Sequence, residues 1–154
     1  MSAAPLNVVG DREGAQHDPD TNDVKTPTGF KEAYQTYAEA GWQSLSVPTE
    51  YGGQGLPMSL GMIKAEMIGT ANWAWSMYPG LSVGAMNTLI LHGSEEQKQH
   101  YLTKLASGEW SGTMCLTEPH CGTDLAQVKT KAEPNDDGEI ALFCGVVSLF
   151  VASL

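Results

Sequence analysis

The chain has 154 residues, 42% hydrophobic and 17% charged, with eight Lys and Arg against eighteen Asp and Glu for a net charge of −10. This is a globular balance with room for one ordinary domain. The acidic excess excludes nucleic acid and an anionic membrane as partners, because so few cations neutralise neither, yet a phosphate-bearing ligand can still be held by backbone N–H groups and helix N-termini.

Residues 1–28 are polar and rich in Gly, Pro, Asp and Asn, without helical or strand period, and are expected to be loop or extended chain. Their start lacks the basic and apolar regions of a secretory signal, which makes the cytoplasm the default location. From Phe30 to Ala40 the residues Phe30, Ala33, Tyr34, Tyr37 and Ala38 recur at helical spacing, with Thr28 as the expected cap and Gly41 as the stop. A second helix is expected from Ser59 to Trp75, with Leu60, Ile63, Met67, Ala71 and Trp75 inward and Glu66 on a solvated or salt-bridged face. A third, Leu81 to His92, is apolar nearly all round apart from Ser82, Asn87 and Thr88, and should be deeply buried. A fourth opens on Ser94-Glu95-Glu96-Gln97, a capping box in which Ser94 and Gln97 satisfy each other's N–H groups. Its inward residues are Tyr101, Leu102, Leu105 and Ala106, and Gly108 ends it. Trp73, Trp75 and Trp110 are read as core or domain-contact residues.

After Gly108 the period falls to about two. Trp110 to Leu116 and Gln127 to Glu133 read as strands, and Asn135-Asp136-Asp137-Gly138 as a turn before another strand. Helices first and antiparallel strands afterwards make an α+β chain. The plan is a leader (1–28), a helical domain (29–108), the start of a β-domain (109–138) and an apolar tail (139–154). Ile140 to Leu154 carries no charge. It is shorter than the roughly 20 residues that span a bilayer, and a membrane segment, a buried strand and an aberrant terminus all remain open for it. Cys115, Cys121 and Cys144 are odd in number and match no zinc spacing, so they read as reduced thiols and no metal site is expected.

The stretch Cys115-Leu116-Thr117-Glu118-Pro119-His120-Cys121-Gly122-Thr123-Asp124-Leu125 concentrates the chemistry. Leu116 can face an aromatic ring while Thr117 donates or accepts one hydrogen bond at its edge. Pro119 confines Glu118 to extended conformations. Gly122 permits either a positive φ or the close approach of a ligand, and Thr123 offers a hydroxyl to a phosphate oxygen. From the residues alone, a strand-to-strand loop capped by Thr and Asp explains the stretch equally well. His120 beside Cys121 is read as a surface neighbour, because adjacent residues rarely point at each other as a nucleophile pair.

Met114 to Lys131 resembles the acyl-CoA dehydrogenase signature C-x-T-E-P-x-x-G-[ST]-D followed by a lysine-bearing strand. Pro48-Thr49-Glu50-Tyr51-Gly52-Gly53 resembles the family's P-x-x-Y-G-G loop. Gly93-Ser94-Glu95-Glu96-Gln97-Lys98 resembles its G-[ST]-x-x-Q-[KR] helix start, and Gly108-Glu109 its G-E step. Within the family, Gly69 to Trp75 with Tyr78-Pro79-Gly80 is similar to the bacterial branch that includes 3-methylmercaptopropionyl-CoA dehydrogenases. The resemblance implies an N-terminal helical domain, the first strands of a middle β-domain and a C-terminal helical bundle, the last missing from this chain. It implies FAD as cofactor, with Met114, Leu116 and Thr117 at the isoalloxazine and Gly122 and Thr123 at the pyrophosphate or acyl-CoA side. Met114 stands where an aromatic residue is common, so packing replaces stacking.

The same resemblance implies oxidation of an acyl-CoA thioester at Cα–Cβ, as in fatty acid metabolism. An electron-transfer flavoprotein or similar acceptor and a homo-oligomer, dimer or tetramer, come with it. The family's base is a glutamate of the C-terminal bundle, so no catalytic residue is assigned here and Glu118 is not the base. Trp73 to Tyr78 have the shaping of an acyl pocket as their alternative role. The family's first helix is expected to be missing ahead of Pro5-Leu6-Asn7. Gly145-Val146-Val147-Ser148-Leu149-Phe150 departs from the family's G-x-K-x-[FW]-I-[ST] strand, as a frame change or premature stop would leave it. Little FAD retention and no turnover are then expected of this polypeptide alone, and a non-catalytic fragment that pairs with a full-length dehydrogenase is the alternative.

Overall fold

Leu6 is 2% exposed and anchors a helix, α1 (Ala3–Glu13), in the segment read from sequence as a loop or extended leader. The correction has a simple cause. Leu6 packs with Phe30, Tyr34, Tyr37 and Trp75, whereas its neighbours Pro5, Asn7 and Val8 are exposed, so one buried residue carries the helix and no periodic pattern betrays it. Gly10 is equally misleading as a breaker: a Cβ there would come 2.8 Å from Phe30 Cζ, so the glycine admits the ring. The computed structural model describes residues 3–114, 116–134, 140–143 and 151–153. They belong to two compact units, Met1–Gly112 with Val151–Leu154, and Thr113–Phe150.

In the first unit, two short strands, β1 (Gln16–His17) and β2 (Val24–Lys25), pair antiparallel after α1. Helix α2 (Phe30–Glu39) buries Phe30, Tyr34 and Tyr37 as the spacing predicts. Its N-cap, however, is Gly29 at φ 85° without a side-chain cap. Thr28 instead donates its backbone N–H to the Glu13 carboxylate at 2.7 Å. Gly41, at φ 75°, ends the helix.

Helix α3 (Met58–Ala71) stops before Trp75, and its inward face is not the expected one. Leu60, Ile63 and Met67 are 43%, 54% and 69% exposed, while Gly61, Lys64, Ile68 and Ala71 are partly buried. Apolar residues occupy both sides of this helix, so hydrophobicity does not choose between them. Packing does, because Lys64 Nζ donates to Tyr37 Oη at 2.8 Å and to the Trp42 carbonyl at 3.0 Å. Asn72, extended at φ −162°, separates α3 from α4 (Trp73–His92), and its Oδ1 accepts from Trp75 N at 3.0 Å. Replacing this buried cap in Asn72→Ala is expected to cost about 1 kcal/mol, read as a lower urea midpoint with unchanged slope.

Helix α4 runs through Pro79, starting well before Leu81. Its buried positions are Trp75, Pro79, Ser82, Ala85 and Met86, whereas Leu91 is 74% exposed. Ser82, one of its few polar residues, is thus among the most buried. Its hydroxyl accepts from Gly112 N at 2.9 Å, and a Cβ on Gly112 would meet Ala85 Cβ at 2.6 Å. The glycine lets strand β3 (Trp110–Gly112) lie directly on the helix.

Between them, α5 (Glu95–Gln97), a π-helical turn (Lys98–Leu102) and α6 (Thr103–Ser107) form one helical run. The capping box is complete, with Gln97 N to Ser94 Oγ at 3.2 Å and Ser94 N to Gln97 Oε1 at 2.9 Å. Leu102, Leu105 and Ala106 join Val47, Tyr51, Ala85 and Met86 in a second buried cluster, and Gly108 at φ 77° closes the run. Strand β3 pairs antiparallel with β6 (Val151–Ser153), Trp110 opposite Ser153. In the second unit, β4 (Lys131–Pro134) pairs antiparallel with β5 (Ile140–Phe143). The expected turn Asn135 to Gly138 between them lies outside the described residues, as do Cys115, Cys144 and the departure at Gly145 to Phe150. The strand expected from Gln127 starts only at Lys131, after a 3-10 turn, Leu125–Gln127. Among the described residues no helix is long and apolar enough to cross a membrane.

Candidate functional site

The loop from Pro48 to Gly53 is built by its own residues. Gly52 sits at φ 82°, and an added Cβ at Gly53 would overlap the Val47 carbonyl oxygen. Tyr51 is buried, and its hydroxyl donates to Glu95 Oε2 at 2.8 Å. Lys98 Nζ donates to the other oxygen of Glu95 at 2.8 Å. Lys98 and then Tyr51 hold the Glu95 carboxyl below the usual carboxylate range. Two motifs more than forty residues apart in sequence are therefore one structural joint, made by the buried Tyr51 and the exposed Glu95.

The helical unit also has an open cleft of about 320 Å³, whose wall includes Met58, Met62, Lys64, Trp73, Ser76 and Met77. Trp73 is 71% exposed and so is not a core residue, in contrast to Trp75 at 3%. Trp110 is half-buried, with Lys104 Nζ 4.1 Å from its ring centre. Burial holds the Lys64 ammonium below the ordinary lysine range and pushes the Tyr37 phenol up. Sequence reading passes over Lys64 because one lysine on a helix carries no signal of burial. Glu66 is exposed as expected.

The Thr117–Thr123 turn lies in the second unit. Glu118 and Cys121 exchange two backbone hydrogen bonds, Glu118 N to Cys121 O at 3.0 Å and Cys121 N to Glu118 O at 3.1 Å, with Pro119 and His120 at the apex. Asp124 steadies the exit by accepting from Ala126 N and from Gln127 Nε2, the latter at 2.7 Å. Glu118 is only 3% exposed. Its carboxylate accepts from Thr130 Oγ1 at 2.6 Å, Thr130 N at 2.9 Å and Lys129 N at 3.0 Å. The Thr130 hydroxyl, and after it the Lys129 amide, hold this carboxyl below its ordinary value. It is an ionised acceptor at neutral pH, with no lone pair aimed at solvent chemistry.

His120 Nε2 lies 2.9 Å from the Gln127 carbonyl and 3.2 Å from Glu118 Oε2. Its ring thus turns to the loop's own oxygens. Cys121 is buried and free. One ligand atom from each of Glu118, His120 and Cys121 falls within 4.8 Å of the others, a proximity that the hydrogen bonds of the turn already require.

Met114 is 57% exposed, Leu116 is half-buried, and Thr117, Gly122 and Thr123 are exposed. Among the described residues neither the Thr117 nor the Thr123 hydroxyl has an intramolecular hydrogen-bond partner. Gly122 has no positive φ, and a Cβ there would meet nothing within 4 Å. Neither a positive φ nor internal packing among the described residues asks for glycine at this point. The turn thus leaves Thr117, Gly122 and Thr123 exposed, with Leu116 half-buried beside them in sequence.

The family described as "Acyl-CoA dehydrogenase, N-terminal domain" matches residues 11–109. A 3-methylmercaptopropionyl-CoA dehydrogenase from Ruegeria pomeroyi is 45% identical over 90% of this chain and 23% of its own length. Among solved structures, the butyryl-CoA dehydrogenase of Megasphaera elsdenii superposes with a TM-score of 0.73 at 26% identity, over 91% of this chain and 34% of that one. An acyl-CoA dehydrogenase complexed with FAD from Bacillus anthracis gives 0.64 at 34% identity, over 73% of this chain and 19% of that one. The chain spans less than a quarter of the length of the curated relative it matches.

Proposed function

The chain belongs to the acyl-CoA dehydrogenase family, and we propose from that membership that it supplies the N-terminal part of an FAD-dependent α,β-dehydrogenase of acyl-CoA thioesters. The observation that carries the reading is the exposure of Thr117, Gly122 and Thr123 on the signature turn, the two hydroxyls without a partner among the described residues. When bound, FAD supplies the hydride acceptor. Thr117 would hydrogen-bond the isoalloxazine edge, with Met114 and Leu116 covering its apolar face. Gly122 would let the backbone approach the pyrophosphate, and Thr123 would donate to an oxygen there. No cation is needed for that contact, which suits a chain of net charge −10.

Glu118 takes no part in removing the α-proton, because it is buried and fully engaged. The cleft walled by Trp73, Ser76 and Met77 is apolar enough to take an acyl tail, and it supports a pocket-shaping role for this stretch. A thioester as substrate, an electron-transfer flavoprotein or similar acceptor, and a dimeric or tetrameric assembly follow the family. A cytoplasmic setting fits the free thiol of Cys121.

Titrating excess FAD into the ¹⁵N-labelled chain tests the reading, since binding too weak to be retained through purification still shifts amides in fast exchange. The Thr117, Gly122 and Thr123 amides are expected to shift, and Thr117→Val to weaken the binding roughly tenfold. Saturating FAD that leaves those amides unmoved would sink it. One observation favours a second reading, pairing with a full-length dehydrogenase: Met62, Ile63 and Met67 expose an apolar strip on α3. A hetero-oligomer mass on mixing the two chains would select that reading.

A further inference from the structure

Glu118 reaches beyond its own turn. Its hydrogen bonds to Lys129 N, Thr130 N and Thr130 Oγ1 tie residue 118 to residues eleven and twelve positions later. Three neutral donors converge on one carboxylate that is 3% exposed. A buried carboxylate is tolerated only when its lone pairs are met, so the contact holds while the Lys129–Thr130 segment stays in place and breaks if it leaves. The carboxylate therefore closes the chain from 118 to 130 into a ring. Gly122 and Thr123 lie inside that ring, and Thr117 is bonded to its anchoring residue. Within the ring, the Glu118–Cys121 backbone pair and the Asp124 side-chain bonds fix the shorter spans. The His120 ring spans an intermediate distance to the Gln127 carbonyl, and the carboxylate spans the full distance to Thr130.

We propose that Glu118 is a positioning residue for the cofactor-contacting turn: by holding the Lys129–Thr130 segment it sets Thr117, Gly122 and Thr123 in the arrangement FAD meets. It touches neither cofactor nor reacting atoms. The chemistry is specific to a carboxylate, because two consecutive N–H groups and a hydroxyl form a cradle of donors. A glutamine would turn an NH₂ group toward at least one of them. The assignment rests on the FAD reading above, and its test separates the two.

The ¹⁵N-labelled chain and its E118Q, T130V and T130S variants would be compared by amide hydrogen exchange and by FAD titration. E118Q and T130V are expected to accelerate exchange at Lys129 and Thr130 and to weaken FAD binding roughly tenfold. T130S keeps the hydroxyl and should match the parent chain in both respects. Protection of the Leu102 and Leu105 amides should stay unchanged in all variants, which reports that the helical unit remains folded. FAD bound as tightly by E118Q as by the parent, or T130S behaving like T130V, overturns the proposal. If FAD moves no amide of the turn in the parent chain, the cofactor reading fails. The clamp is then judged on exchange alone, and unchanged exchange at Lys129 and Thr130 in E118Q overturns it.

Discussion

Gly53→Ala is expected to destabilise the helical unit by about 3 kcal/mol or more. Most glycine substitutions cost conformational freedom or a strained φ, but here the obstacle is a collision, because the new Cβ overlaps the Val47 carbonyl oxygen. That carbonyl is occupied: it accepts from Gly55 N at 2.9 Å, while Gly53 N donates to the Pro48 carbonyl at 3.1 Å. Relieving the overlap means breaking one of these bonds or moving Val47, which is 4% exposed and part of the cluster around Leu102 and Leu105. In a domain of this size the loss corresponds to a fall in Tm of roughly 6 to 12 °C. A thermal melt within 2 °C of the parent, roughly the shift from half a kcal/mol, would show that the loop is looser than described. Gly52→Ala, strained at φ 82° but unobstructed, should cost less, about 1 kcal/mol.

Trp75→Ala is expected to cost about 4 kcal/mol, the upper range for deleting a buried aromatic side chain. Trp75 is 3% exposed, and its indole N–H donates to the Phe30 carbonyl at 3.1 Å. Its ring meets Tyr37 edge-on with centroids 5.5 Å apart. The alanine leaves both a cavity between α2 and α4 and a carbonyl without its donor. Trp75→Phe refills much of the cavity but not the hydrogen bond, and should lose only about 1 to 2 kcal/mol. Urea unfolding followed by far-ultraviolet dichroism would rank the three. Equal midpoints for the alanine and phenylalanine variants would mean that packing contributes nothing there. Against a total stability of about 5 to 15 kcal/mol, the alanine variant is close to unfolding the unit.

What the sequence makes legible is chemistry that acts over one helical turn. The ends marked by Gly41, Ser94 and Gly108 stand where local rules put them, since a cap or a left-handed glycine needs no partner elsewhere. The inward residues of α2 and of the Glu95–Ser107 run are equally readable, because each has one apolar side and one polar side. Helix α3 is not, as its apolar residues lie on both sides and a lysine decides the facing by reaching Tyr37 and Trp42. Helix α1 depends on Leu6 alone. The break at Asn72 is visible only as a capping residue inside an otherwise helical stretch.

The site shows the same division. The signature turn is recognisable as a string of residues, of which the structure leaves Thr117, Gly122 and Thr123 exposed. Glu118 is visible in the string as an acid, yet its engagement depends on Thr130, which no spacing rule connects to it. Tyr51 and Glu95 sit in two separate motifs, and only the fold reveals that one donates to the other.

The exposed methionines of α3 have a redox consequence. Met62 and Met67 hold their thioethers at the surface, 70% and 69% exposed, while Met86 is 2% exposed. Peroxide therefore reaches the first two long before the third. Sulfoxide formation at those positions turns a soft apolar strip into a polar one and leaves the buried cluster intact. Oxidants can therefore alter that surface at concentrations that leave the helical unit folded.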